Sequence, residues 1–90
     1  MADAQAYLDK IESKLDQLNE TCSDDMLFVI GYLRGHIMLS AGYLEMDGQF
    51  EIEAINQATE ASLNKAIEAG ELEEQDQKYV WDLWAELTQL

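Results

Sequence analysis

DMLFVIGYLRGHIMLSAGYL, residues Asp25 to Leu44, carries apolar residues at nearly every position instead of once per helical turn. A helix that is greasy on most of its circumference belongs in the middle of a bundle. At 100° per residue, Gly31, Gly35 and Gly42 of this stretch fall within a narrow stripe. Each glycine costs about 1 kcal/mol of helix propensity relative to alanine. Such a cost is ordinarily offset by close approach of a neighbour, so the stripe is expected to be a packing groove for another helix, with a ligand or partner backbone as the alternative occupant.

The segments on either side supply the neighbours. Upstream, Ala4, Leu8, Ile11, Leu15, Leu18 and Cys22 alternate in steps of four and three, with Tyr7 beside them, which predicts a first helix over about Asp3 to Thr21. Glu12, Asp16 and Glu20 line its opposite side. They lack the loop ligands that calcium needs and read as a solvated face. Ser23, Asp24 and Asp25 form a start signal for the second helix: a side-chain oxygen to cap, then carboxylates against the positive end of the helix. Met46, Asp47 and Gly48 make the next turn. Ile52, Ile55, Thr59, Leu63, Ala66 and Ile67 mark one face of a third helix ending at Gly70. A last helix, about Glu73 to Gln89, has Val80, Leu83, Trp84, Leu87 and Leu90 as its inner stripe, flanked by Tyr79 and Trp81.

No stretch alternates as a strand does, and the chain has no proline. The expectation is an all-α single domain spanning residues 1–90, an antiparallel bundle of four helices with the glycine-bearing second helix central.

Composition bounds the function. Hydrophobic residues at 48% and charged residues at 27% describe a folding globular chain, and 90 residues leave room for one modest core but no deep cleft. Nineteen acidic residues against five basic ones give a net charge of -14, which repels phosphate backbones and anionic lipid and disfavours nucleic-acid or membrane partners. A basic protein or a cation is what this charge attracts; a simply solvated surface is the plainer reading. MADAQAYLDK has no basic leader or apolar signal run, and Arg34 and His36 interrupt the central stretch. With Cys22 as the single cysteine, a Cys-rich zinc site is ruled out and a reducing cytoplasm is the natural compartment.

Few residues could carry chemistry. His36 shares a helical face with Tyr32, Ser40 and Tyr43, a strip of polar-tipped groups that could host a general base or simply form a half-buried edge. Arg34 lies two residues away, on a different face, among Ile30, Ile37, Met38 and Ala41. A guanidinium there needs a carboxylate, so an inter-helix bridge is the first reading and an anion site the second. Trp81 and Trp84 are neighbours on the last helix. Trp84 is expected in the core, and Trp81 either at its edge or in an interface. No phosphate loop, nucleophile signature or helical metal motif is present, so no catalytic residue, cofactor or metal is assigned.

GYLRGH at Gly31 to His36, with SDD at Ser23 to Asp25, KAIEAGEL at Lys65 to Leu72, Asp76 and Gln77, and DLW at Asp82 to Trp84, resembles the YfcL family of small acidic bacterial proteins. The resemblance covers nearly the whole chain; the first helix matches in pattern only. It implies an all-helical fold, a cytoplasmic bacterial origin and a place for Arg34 and His36 in the family's recognisable core. It implies no activity or cofactor.

Three functions follow as expectations. The first is a non-catalytic interaction module that recognises another protein, possibly basic, or itself, through an apolar patch at Tyr79 and Trp81. The second is a small-molecule or anion binder, or a minor enzyme, built on Arg34 and the Tyr32, His36, Tyr43 strip. The third is an acidic mimic of nucleic acid, which rests on charge alone.

Overall fold

The computed structural model describes residues 4–89 as four helices. They are α1 (Ala4–Thr21), α2 (Asp24–Met46), α3 (Ile52–Glu68) and α4 (Glu74–Leu87). The protein is all-α, and each expected helix forms. Asp3 and Leu90, assigned from sequence to the first and last helices, lie outside the described residues.

Local chemistry sets the ends. The Ser23 side chain accepts from the Met26 backbone N–H at 3.3 Å, and Asp24 and Asp25 occupy the first turn of α2. Helices α2 and α3 finish with the same device. Gly48 and Gly70 adopt φ of 75° and 79°, a left-handed conformation that glycine alone enters without cost. That turn lets Gln49 N–H donate to Leu44 C=O at 2.8 Å and Glu71 N–H to Ala66 C=O at 3.1 Å, recovering carbonyls the helix would otherwise strand. Helix α2 thus continues through Met46, two residues past the apolar stretch, before the turn begins.

The predicted seams are the core. Ala4, Tyr7, Leu8, Ile11 and Leu15 of α1 meet Val29, Ile30, Leu33, Ile37 and Ala41 of α2, with Ile55 and Leu63 of α3 and Val80, Leu83, Trp84 and Leu87 of α4. Leu18 and Cys22, at the far end of the α1 seam, are only half-buried. Helix α2 is the hub: it packs on each of the other three, which meet one another less closely. Contacts fit antiparallel neighbours. Arg34 reaches Asp16 while Met38 and Glu45 stand beside Leu8 and Gln5, and Tyr32 pairs with Glu71 while His36 pairs with Ser62.

One expectation is corrected. The glycine stripe is not a packing groove among the described residues: a Cβ placed on Gly31, Gly35 or Gly42 meets none of them within 4 Å. Three neighbours cover only part of the circumference of α2, and the uncovered arc is the one with the glycines. All three glycines are solvent-exposed.

Candidate functional site

On a helix, Phe28, Leu39 and Met46 project within about a quarter-turn of the glycine stripe, with Leu27 and Tyr43 on its two flanks. These are also the large apolar side chains that α2 leaves to solvent. Leu27 is 43% exposed, Phe28 51%, Leu39 57%, Tyr43 63% and Met46 84%, and among the described residues every exposed large hydrophobic is on this helix. Glycines between such side chains make the face knobbed and hollowed. A shallow hollow of about 220 Å³ lies over Gly42, walled by Met38, Leu39, Tyr43 and Met46. Beside it, between α2 and α3, a groove of about 320 Å³ runs along Leu39, Tyr43 and Leu44 to Ala58, Ala61 and Lys65. The α3 wall of the groove is therefore alanine-rich, with Ser62 and Lys65 as its polar members.

The polar strip of α2 stands on the flank facing α3. Phe28, Tyr32 and His36 follow one another at four-residue intervals, their ring centroids 5.7 Å and 4.7 Å apart. The Tyr32 hydroxyl donates to Glu71 Oε1 at 3.0 Å, and His36 Nδ1 shares a hydrogen with Ser62 Oγ at 2.6 Å. Burial, followed by the hydrogen bond to and the negative charge of Glu71, pushes the Tyr32 pKa up to about 12. Tyr32 and His36 are half-buried, whereas Tyr43, two turns further on, is open to solvent. Tyr32 and His36 are brought together; Tyr43 instead belongs to the apolar face.

Arg34 points to the other side of α2. Its guanidinium lies 3.4 Å from Asp16 and 3.9 Å from Glu12, both on α1, and its side chain is 42% exposed. The fold does not bring Arg34 to the Tyr32, His36, Tyr43 strip. Two of the carboxylates read as a solvated face thus also serve as its partners.

On α4, Trp84 is buried, and its indole N–H donates to Glu60 Oε2 at 2.9 Å, tying α4 to α3. Tyr79 and Trp81 are half-buried and pack against the core. Less of their surface is open than the α2 face offers. Tyr7, buried at the α1–α3 contact, donates to Asn56; burial raises its pKa, the Asn56 bond lowers it, and the charge of Glu60 raises it. Among the described residues, no three His, Cys, Asp or Glu side chains gather closely enough to hold a metal ion.

The profile of the YfcL family matches residues 5–89. The chain belongs to the YfcL family. It is 41% identical over 80 residues to a protein of Escherichia coli strain K12 described as uncharacterized protein YfcL, an alignment covering 89% of this chain and 87% of that one. No solved structure matches the chain. Membership therefore agrees with the GYLRGH resemblance without assigning a reaction to the site.

Sequence reasoning missed Leu27, Phe28, Leu39 and Met46 as surface residues. A signal was available: Phe28, Leu39 and Met46 share the arc of the three glycines, so an open stripe implied open side chains. Ser62 and Glu71, partners of His36 and Tyr32, carried no such signal because they are 26 and 39 residues away in the chain.

Proposed function

We propose that the protein is a non-catalytic interaction module of the cytoplasm whose contact surface is the outer face of α2. The observation that carries this reading is the concentration of exposed large apolar side chains on one helix, around glycines that none of the described residues covers. An exposed apolar patch on a chain with net charge -14 has no role in solubility, and such patches mark contact sites. The surface belongs to α2, in preference to Tyr79 and Trp81. Helix α2 is by length and composition apolar enough to cross a membrane, but insertion would strip Val29, Ile30, Leu33, Ile37 and Ala41 from the core they form with the other three helices.

The test immobilises wild-type protein and the Phe28→Glu/Leu39→Glu double variant and offers each the free wild-type chain and a lysate of the source cells. Both replaced side chains are exposed, so the variant is expected to keep its helical circular dichroism and unfolding midpoint. The reading requires a partner, self or foreign, held by wild type and lost by the folded variant. Equal binding by the two proteins would overturn it.

A further inference from the structure

We infer that the occupant of the α2 face is the α2 face of a second copy, in an antiparallel crossing about a two-fold axis at Gly35. This rests on the reading of that face as a contact surface and names its partner. Area is the first argument. With about 200 Å² for a fully exposed large apolar residue, the open fractions of Leu27, Phe28, Leu39, Tyr43 and Met46 amount to on the order of 600 Å². The glycine backbone and the adjoining Ala58 and Ala61 add to this, which brings the face near the roughly 800 Å² per partner of a standard stable interface.

Shape is the second argument. An isologous contact must be complementary to itself. A two-fold axis at Gly35 sets position 28 opposite position 42 of the second copy and position 31 opposite position 39. Phe28 then enters the hollow over Gly42, Leu39 covers Gly31, and Gly35 meets Gly35, where the absence of Cβ atoms allows the two backbones to approach closely. A parallel crossing would set Phe28 on Phe28 and leave glycine facing glycine across a void. The antiparallel register is the one that sets Phe28 and Leu39 each against a glycine, with Leu27 beside Tyr43 at the flanks.

Charge is the third argument, and it separates this partner from others. From Met26 to Leu44 the one formally charged side chain is Arg34, which is turned toward Glu12 and Asp16 of α1. The centre of the face is thus uncharged, while the remainder of each chain repels its copy. Self-association must therefore strengthen as salt screens that repulsion. Capture of a basic helix by the acidic surround would weaken with salt instead.

Sedimentation velocity across a wide range of protein concentration is expected to show mass rising from 10.2 kDa toward twice that value, with the dimer favoured by added salt. Leu39→Glu and Gly35→Leu each raise the dimer dissociation constant at least about tenfold while the monomer stays folded, because both positions are open in the monomer. Gly35→Cys in a Cys22→Ser background forms a disulfide-linked dimer on oxidation, and Phe28→Cys does not. A monomer at every concentration overturns this inference, as does a dimer dissolved by salt or indifferent to both α2 substitutions. If that monomer still binds a foreign protein, or neutral phosphatidylcholine vesicles, through Phe28 and Leu39, the self-partner is wrong while the contact surface stands.

Discussion

Thr59 is fully buried on α3, and among the described residues its hydroxyl has no hydrogen-bond partner. A stranded polar atom in a core costs more than the bond it could make would return. Thr59→Val is therefore expected to raise the unfolding free energy by about 1 kcal/mol in urea titration; a loss of stability would mean the hydroxyl is satisfied. Tyr32 makes a prediction in pH. Its folded pKa of about 12 stands above the ordinary 10.0, so the native state keeps a proton that the unfolded chain gives up. The contribution is fully present below pH 10.0 and is lost as pH rises through about 12. Unfolding midpoints measured across that window should fall more steeply for wild type than for Tyr32→Phe. Equal slopes would mean the Glu71 contact is not maintained in solution.

At the scale of the helix, α2 is both hub and surface, and its glycines report which demand dominates. If the fold alone mattered, Gly31 and Gly42 would be poor choices: each lies at a helical φ with empty space where a side chain could stand. Gly31→Ala and Gly42→Ala are expected to stabilise the dilute monomer by about 1 kcal/mol each, read from thermal or urea unfolding. A destabilisation would show that something covers the stripe even in the monomer. Gly48 and Gly70 behave oppositely, since their left-handed φ ends a helix and penalises alanine. The same residue type thus serves termination at two positions and openness at three.

For the whole molecule, charge opposes compaction. A net charge of -14 on 90 residues makes the folded state repel itself, and among the described residues the ion pairs that answer it are few and largely exposed. Added sodium chloride is expected to raise the unfolding midpoint of the monomer. Arg34→Ala should cost no more than about 1 kcal/mol, because an ion pair with side chains 42% exposed or more is well screened. A collapse of the fold on losing Arg34 would mean that the α1–α2 bridge carries far more than its geometry implies.

The four helices were legible from the sequence because their causes are local. Seams such as Leu8, Ile11 and Leu15 follow from 3.6-residue periodicity, and the stops at Gly48 and Gly70 and the start at Ser23 follow from capping chemistry within a few residues. Family membership was legible too, since GYLRGH and KAIEAGEL are contiguous. The open side of α2 was not. A helix apolar around nearly its whole circumference gives periodicity no direction to point in, so the covered arc depends on where three other helices come to rest. The partners of Arg34, Tyr32, His36 and Trp84 were hidden for the same reason, each lying 18 to 39 residues away in the chain. Local interactions built the helices, and packing left the glycine face of α2 exposed.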